Sequence, residues 1–240
     1  MNCSPPRINA LSPHCHEMRP PRAITPLLAP LVIDFNGHRI ELRPSGALHF
    51  PDLALLAFAD LHLGKASHFS ALGRFLPPYE ADATLEKLDR EVRATGARKI
   101  LSLGDTFHSA LIRQDPQFLP RMIDVMSQRA RTFFVVGNHD RNLAATLKNL
   151  GCDLQDRWRL GEPTPLLLLH EPTASREAQI FGHFHPCATV WTRAGRQRRR
   201  CFIVGQNHIV MPSFGSLTGG LDVEAAALAP YVQNVELYVT

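Results

Sequence analysis

The sequence lacks most of the features that assign a chain to a specialised class of protein. No apolar run approaches the ~20 residues that a helix needs to cross a bilayer, so no membrane attachment is expected. The first 26 residues contain six prolines but no apolar stretch like that of a secretory signal, which favours a cytoplasmic protein. The five cysteines are scattered, without a C-x-x-C pair. Their spacing argues against a disulfide framework or a zinc knuckle and fits a reducing compartment.

Neither sign of charge dominates, and lysine is scarce. The net charge of +4 permits an anionic partner without requiring one. The chain has 22 arginines but only 4 lysines. Arginine suits bidentate contacts with phosphate, although the codon usage of a GC-rich genome would produce the same excess.

Two regions differ in composition. Residues 1–26 are expected to form a disordered tail, because they are rich in proline and poor in apolar periodicity. Residues 27–240 are expected to form one domain. Hydrophobic content of 45% and charged content of 20% are ordinary for a globular protein.

Strand-like and helix-like segments alternate along this domain. "LVIDF-NG-HRIEL" predicts a hairpin, because Asn-Gly favours the tightest turns. Continuous apolar runs predict strands buried on both faces at 53–60, 97–105, 131–140, 164–170 and 178–183. Helices are predicted at 77–95, 115–130 and 141–151, the last of them capped by Gly151. Short strands are predicted over 187–240, so the pattern indicates an α/β domain with a large mixed or sandwiched sheet.

Polar side chains follow the five apolar runs, at the point where each run ends. All are of metal-binding or acid–base type: Asp60, His62, Asp105, Asn138, His139, Asp140, His170, His183 and His185. The carboxyl ends of strands in an open α/β sheet form ligand sites, so these side chains are expected to converge. Gly104, Gly137 and Gly182 would leave room where the backbone turns beside them. In an extended chain, Asp60 and His62 would face the same ion.

This set of side chains predicts a metal centre. Imidazole nitrogens with carboxylate and amide oxygens suit Mn²⁺, Fe or Zn²⁺ rather than ions that prefer thiolate. Asp105 has two carboxylate oxygens, enough to bridge two ions. A lone histidine at a strand end is usually a hydrogen-bonded structural residue, and Asp-x-His alone is a weak pattern. Five such groups gathered together would be costly to bury without cations to pair them.

The order of these motifs resembles that of the calcineurin-like metallophosphoesterases over residues 60–185. The resemblance implies a four-layer αββα sandwich and a hydrolase with two divalent metal ions, in which a hydroxide between the ions attacks the phosphoester. By the family pattern, the first ion would be held by Asp60, His62, Asp105 and His185. The second would be held by Asp105, Asn138, His170 and His183. His139 would be a catalytic residue facing the substrate phosphate, and Asp140 would orient it.

Further segments resemble the ligase-associated DNA damage response phosphodiesterases (the PdeM-like family) over residues 30–220. They are "ADLHLGKASHF", "LGDTFHS", "GNHDR", "FGHFHP" and "MPSFGSLTGG". This resemblance implies a Mn²⁺-dependent phosphodiesterase or endonuclease that acts on DNA in repair, with a DNA ligase or helicase system as partner. The last segment could wrap around the site or simply close the sheet.

Several residues outside the ligand set could contact DNA. "TRAGRQRRRCF" (192–202) predicts a basic hairpin turning at Gly195, which could grip backbone phosphates through Arg193, Arg196, Arg198, Arg199 and Arg200. A solvated surface is the alternative interpretation. His108, Lys65 and His68 follow ligand motifs and could line the cleft, although Lys65 and His68 could equally be surface or loop residues. Trp158 and Trp191 are expected to be core or edge aromatics, with base stacking as the alternative.

Two other functions share most of these features. A phosphomonoesterase or small-molecule phosphodiesterase would use the same metal ligands in a differently shaped cleft. A binding protein with a relict metal site would lack a catalytic histidine next to the asparagine. His139 occupies that position here, which argues against the second alternative.

Overall fold

A computed structural model describes residues 24–65, 73, 79–108, 117–193 and 195–240. The strands are β1 Ile24–Pro26, β2 Leu31–Phe35, β3 His38–Leu42, β4 Leu48–Phe50, β5 Leu55–Phe58, β6 Lys99–Leu103, β7 Arg131–Val135, β8 Asp153–Gln155, β9 Trp158–Leu160, β10 Leu166–Leu169, β11 Ala178–Phe181, β12 Cys187–Thr192, β13 Gly195–Val204, β14 His208–Val210 and β15 Glu236–Val239. The helices are α1 Glu80–Thr95, α2 Phe118–Ser127 and α3 Ala144–Asn149. Short 3₁₀ helices span Pro51–Leu53, Arg141–Leu143 and Ala226–Tyr231.

The predicted hairpin is formed by β2 and β3. Asn36 and Gly37 have φ angles of 52° and 72°, the left-handed pair that a two-residue turn between twisted strands requires. The Gly37 N–H donates to Asp34 Oδ1 over 3.0 Å, which closes the turn. The turn fixes the register, with Asp34 opposite Arg39 and Phe35 opposite His38.

The strands form two mixed sheets. The first has the order β2-β3-β4-β5-β6-β7-β8, and β5 to β8 run parallel. The second has the order β1-β15-β13-β14-β11-β10-β9, with β12 paired to β13 outside this path. In this sheet β10 and β11 are parallel neighbours. Each of the five predicted buried runs is a strand in one of these parallel groups.

The main apolar core lies between the two sheets. One cluster joins Leu101, Leu103 and Val135 of the first sheet to Leu168 and Ile180 of the second. This packing explains the run of four leucines at 166–169. Alternate side chains of a strand point to opposite faces, and here both faces are covered, so all four leucines are buried. Each fully buried leucine contributes about 1.5–3 kcal/mol of hydrophobic free energy.

The outer faces of the two sheets are covered differently. The helices pack on the first sheet, where Leu85, Leu88 and Val92 of α1 are buried. On the second sheet the cover includes Leu228 of the 3₁₀ helix Ala226–Tyr231 and Val235. Within the described ranges no α-helix packs on that face, so the helical fourth layer implied by the resemblance is not found. The fold is a mixed α/β structure with two stacked sheets.

The N-terminal boundary differs from the one expected. Residues 24–26, predicted to belong to the tail, form β1 and pair in parallel with β15. The Leu27 N–H continues this contact by donating to the Val239 carbonyl over 2.7 Å. Three residues without alternation carry too little pattern to predict a strand, so only the pairing reveals it. Among the described residues, no helix combines the length and apolarity needed to span a bilayer.

Candidate metal centre

The predicted ligands come together where parallel strands of the two sheets end. Asp60 follows β5 and Asp105 follows β6, and their loops are joined because the Asp60 N–H donates to the Gly104 carbonyl. His170 follows β10, and Gly182 and His183 follow β11 in the second sheet. The His183 N–H donates to Asp60 Oδ2 over 3.0 Å. The site therefore spans the junction between the sheets.

One half of the site consists of Asp60, His62 and His185. The His185 Nε2 atom lies 3.1 Å from Asp60 Oδ1 and 3.4 Å from His62 Nε2. His185 Nδ1 donates its proton to the Gly219 carbonyl over 3.1 Å. In the neutral ring that bond leaves a lone pair on Nε2, directed at a carboxylate oxygen and another imidazole. This arrangement is repulsive by itself and is typical of side chains that share a cation.

The other half consists of Asp105, His170 and His183. The His170 Nε2 atom lies 3.5 Å from Asp105 Oδ2 and 3.3 Å from His183 Nδ1. Its Nδ1 is 3.0 Å from the Leu103 carbonyl, which fixes the tautomer and frees Nε2 for the site. His170 and His185 thus each use one ring nitrogen on a backbone carbonyl and turn the other toward the site.

The site passes a direct test of fit to a cation. Asp60 has no solvent exposure, and its Oδ1 atom is buried without a hydrogen-bond partner. Leaving a buried carboxylate oxygen unpaired costs several kcal/mol unless a cation neutralises it. Burial, with smaller contributions from His185 and His139, lowers the pKa of His62 to about 2. Burial also lowers the pKa of His183. These two imidazoles are therefore held neutral, the form that binds metals.

The site backbone lies mostly in the left-handed region. Eight non-glycine residues among those described have positive φ, and five are predicted ligands: Asp60 57°, His62 49°, Asp105 48°, His183 68° and His185 48°. Such conformations cost about 1–3 kcal/mol each and persist only where the surroundings enforce them. Asp60 and His62 do converge, as expected, but the expected extended backbone is wrong. Both residues adopt left-handed conformations instead.

The three glycines of the strand-end motifs are close to ligand side chains, as expected. A Cβ atom on Gly104 would overlap the His170 ring, and one on Gly137 would overlap Asp105. A Cβ atom on Gly182 would overlap Asp60. Any side chain at these positions would occupy the space that the ligands use.

Asn138 hydrogen-bonds the carboxylate of Glu171, which lies beside the site. Its side-chain N–H donates to Glu171 Oε1, and that oxygen lies 3.5 Å from His183 Nδ1. His170, Glu171 and His183 together form a group that could hold an ion. The hydrogen bond from Asn138, with further contributions from nearby histidines, lowers the pKa of Glu171. Sequence reasoning missed Glu171, although it directly follows a predicted ligand.

His139 and His108 lie on the accessible side of the site. The His139 side chain is 39% exposed, and its Nε2 atom lies 3.9 Å from Asp105 Oδ2. Its ring centroid is 5.1 Å from those of both His62 and His108. One ring nitrogen from each of His62, His108 and His139 lies within 4.8 Å of the others, close enough to share an ion. The half-buried Lys65 is close enough to contribute to the low pKa of His62, whereas His68 lies outside the described residues.

Asp140 holds two site loops together through their backbone N–H groups. Its carboxylate accepts backbone N–H groups from Thr106, Phe107 and Gly137 over 3.1–3.2 Å. Burial raises the pKa of Asp140 to about 6, and the three donors act in the opposite direction. Its oxygens therefore accept backbone N–H groups from both loops, and the role of orienting His139, implied by the resemblance, stays a prediction.

Asp140→Asn should destabilise the protein. An asparagine has only one side-chain oxygen for three N–H donors, and its own N–H group would face one of them. Each unsatisfied buried group costs about 1–3 kcal/mol, so the midpoint of urea unfolding should fall. The exposed Asp156→Asn variant makes the same change in charge and should unfold like the wild type. Equal midpoints for both variants would contradict the role of Asp140 as a loop connector.

The segment 213–220 wraps around the site, which resolves an alternative left open by the sequence. The N–H groups of Phe214 and Gly215 donate to the carbonyls of Ala59 and Asp60. Two cations hold the segment in place. Arg200 donates to the carbonyls of Ser213, Gly215 and Ser216, and Lys87 donates to that of Phe214.

Arg200→Met should therefore loosen this segment. Met keeps much of the apolar stem but leaves three carbonyls without their donor, and we expect a loss of about 1–3 kcal/mol of unfolding free energy. Arg199→Met is the matched control, because Arg199 is exposed on the opposite face of β13. A thermal melt in which the two variants are equally stable would contradict this assignment.

The basic hairpin has the predicted form, with β12 and β13 turning at Gly195, whose φ is 99°. Arg196, Arg198 and Arg199 are exposed, and Arg198 donates to the Gly220 carbonyl. None of them touches a ligand in the described contacts. The Arg200 guanidinium instead donates to the carbonyls of Ser213, Gly215 and Ser216, so it is not free to grip a phosphate. Cys187 is buried, as expected for a packing residue.

Comparison with protein-family models and with curated proteins gave no match. Among solved structures, the chain is similar to the nuclease MPE of Pseudomonas putida, with 26% identity and a TM-score of 0.67. The similarity covers 88% of this chain and 95% of that one. A protein of unknown function from Aquifex aeolicus, AQ665, matches 59% of this chain and 81% of its own at 16% identity, with a TM-score of 0.40. The chain thus has a nuclease-like α/β fold.

Proposed function

We propose that this protein is a metal-dependent phosphodiesterase that cuts DNA. The observation that carries the proposal is the buried Asp60 Oδ1, which has no hydrogen-bond partner and lies 3.1 Å from His185 Nε2, within a cluster of imidazoles and carboxylates. Such a cluster suits a divalent cation. The similarity to a nuclease structure supports phosphodiester hydrolysis. DNA repair, with a DNA ligase or helicase system as partner, enters the proposal from the sequence resemblance.

Two divalent ions fit the two halves of the site. Asp60, His62 and His185 would hold one ion, and His170, His183 and Asn138 the other, with Asp105 between them. Glu171 is an additional candidate ligand for the second ion. The mixed nitrogen and oxygen donors favour Mn²⁺, with Fe or Zn²⁺ as alternatives. Such ions would activate water and neutralise charge on the phosphoryl group.

The protein's own side chains supply the remaining chemistry. His139 is exposed beside Asp105, where it can donate to a phosphate oxygen or protonate the leaving oxygen. His108 stands next to His139 on the accessible side and is proposed to contact the substrate. Asp140 keeps the loops of Asp105 and His139 in register through the backbone.

A comparison of simple substrates tests the reaction type. With Mn²⁺, the protein should hydrolyse bis-(p-nitrophenyl) phosphate faster than p-nitrophenyl phosphate, because it is proposed to act on diesters. A preference for the monoester would instead establish the phosphomonoesterase alternative. Loss of Mn²⁺-stimulated hydrolysis of both compounds would contradict catalysis altogether and favour the binding protein with a relict site.

Digestion of DNA tests the substrate. Circular single-stranded DNA and linear duplex DNA should be incubated with Mn²⁺, and with EDTA as the matched control. Cutting of the circle would establish endonuclease action, since a circle has no ends. If neither DNA is cut while the aryl diester is hydrolysed, the protein is a small-molecule phosphodiesterase.

A further inference from the structure

The two-stranded ribbon formed by β12 and β13 has one face that does not pack on the core. In the antiparallel register Cys187 is opposite Arg200, Thr189 is opposite Arg198 and Trp191 is opposite Arg196. Directly opposed residues point to the same side of a sheet, so these three pairs share one face. The other face carries Ala188, Val190, Cys201 and Ile203, which pack in the core of the second sheet.

The outer end of this face exposes a large aromatic ring beside a cation. Trp191 is 81% exposed. By contrast, the ring centroid of Trp158 lies 4.6 Å from that of Phe133. Arg196 is exposed directly across the strand pair from Trp191. No carboxylate of the described residues lies within ion-pair distance of Arg196 or Arg198. The face therefore combines a free ring surface with uncompensated positive charge.

The inner end of the same face is anchored to the metal centre. Arg198 donates to the Gly220 carbonyl. The neighbouring Gly219 carbonyl accepts a hydrogen bond from His185 Nδ1. Arg200 donates to the carbonyls of Ser213, Gly215 and Ser216 in the same segment. The ribbon face thus leads from an exposed tip to the loop that positions a predicted metal ligand.

We propose that this face binds the unpaired nucleotides flanking the bond that is cut, with a base stacked on Trp191 and a phosphate paired with Arg196. An exposed indole with a neighbouring arginine has the chemistry that single-stranded nucleic acid requires, because each base offers a flat ring surface and each linkage a negative charge. In a duplex the bases are already stacked on one another. The inference names a substrate-binding surface and rests on the proposed function for the cleavage step only.

The length of the ribbon sets the scale of the interaction. Trp191 is six residues from His185, and an extended chain spans at most about 3.3–3.6 Å per residue, so the two lie within about 20 Å. Stacked nucleotides rise about 3.4 Å each, so at most about six bridge that distance. Short substrates bound at the metals should therefore be insensitive to Trp191, whereas longer strands should depend on it.

The first test measures binding in EDTA, where cleavage cannot contribute. The probe is an oligothymidylate of about 20 nucleotides, longer than the 4–16 nucleotides that single-strand sites commonly cover. Trp191→Ala should weaken binding by about 5- to 100-fold, the usual effect of removing one stacking ring. Trp191→Phe should restore most of the affinity. In a Trp158→Phe background Trp191 is the remaining tryptophan, and its fluorescence should be quenched by the oligonucleotide.

The two faces of the ribbon provide a matched charge control. Arg196→Ser should weaken binding and reduce the slope of log affinity against log salt by about one, as expected for one lost phosphate contact. Arg199→Ser makes the same charge change on the opposite face and should have a smaller effect on both. Equal effects of the two variants, or wild-type affinity in Trp191→Ala, would overturn the proposal. A change of molecular mass in solution on Trp191→Ala would assign the face to self-association and would also overturn it.

A second measurement separates this inference from the proposed function. Hydrolysis of bis-(p-nitrophenyl) phosphate should be unchanged in Trp191→Ala, while KM for the oligonucleotide should rise. If Trp191-dependent binding is found but no diester is hydrolysed, the proposed function fails and the binding surface stands. If diesters are hydrolysed but Trp191 has no effect on the oligonucleotide, the surface fails and the function stands.

Discussion

Asp105→Asn should abolish hydrolysis and lower the metal content of the protein. The Asp105 Oδ2 atom lies 3.5 Å from His170 Nε2 and 4.0 Å from His62 Nε2, so it stands between the two halves of the site. An amide removes the negative charge that both ions would share. Bound ions contribute several kcal/mol of charge stabilisation, which corresponds to a rate loss of about 10³-fold or more. Elemental analysis of the purified variant, together with diester hydrolysis, checks the expectation.

The control for Asp105→Asn must separate loss of metal from loss of folding. Asp105 Oδ1 also accepts the His139 N–H over 2.8 Å, so an unfolding curve should be recorded for the variant. The exposed Asp156→Asn variant makes the same charge change away from the site and should keep its activity and metal. An active Asp105→Asn protein with two ions per chain would show that Asp105 is not the bridging ligand.

His139→Ala should separate chemistry from metal binding. The alanine retains the backbone N–H that donates to Asp105 and removes only the partly exposed ring. General acid assistance contributes about 10²–10⁴ in rate, so a loss of that order is expected for DNA, whose alkoxide leaving group needs a proton. The loss should be smaller for bis-(p-nitrophenyl) phosphate, since nitrophenolate departs with little need of one.

Rates on both substrates and metal analysis together identify the role of His139. Retention of both ions with a larger loss on DNA supports a general acid. Equal losses on both substrates with the ions retained would assign the ring to charge stabilisation or positioning. Because His62, His108 and His139 form a group of metal-binding geometry, loss of an ion would make His139 a ligand and contradict the proposed sets. His108→Ala should keep both ions and lose less rate than His139→Ala.

Local pattern predicted the elements whose conformation depends on neighbouring residues. The Asn36-Gly37 turn formed the expected hairpin, and apolar runs such as 166–169 became strands buried on both faces. Gly151 adopts a φ of 80° just after α3, as predicted for its cap. In each case a short segment contains the whole physical cause. The strand β1 could not be predicted, because its pairing is with β15, more than 200 residues away.

The candidate site also combines features that local sequence predicts with features that depend on contacts between distant segments. The order of ligand types at the ends of apolar runs predicted where imidazoles and carboxylates would gather, because parallel strands bring their carboxyl ends together. The left-handed backbone at Asp60 and His62 could not be predicted, since a non-glycine residue adopts it only when contacts from other segments enforce it. The hydrogen bond from Asn138 to Glu171 could not be predicted either, because the two residues are 33 positions apart.

The sequence by itself determined the chemistry of this protein: the ligand types, their order along the chain, and the glycines that leave room for them. Only the tertiary structure decided how otherwise similar residues are used. Arg200 and Arg196 belong to one basic run, yet Arg200 donates to the carbonyls of Ser213, Gly215 and Ser216 while Arg196 is exposed opposite Trp191. Asp140 follows His139 in sequence but holds two loops through their backbone N–H groups. Ligand chemistry is a property of single side chains, whereas such assignments depend on contacts between segments that are distant in sequence.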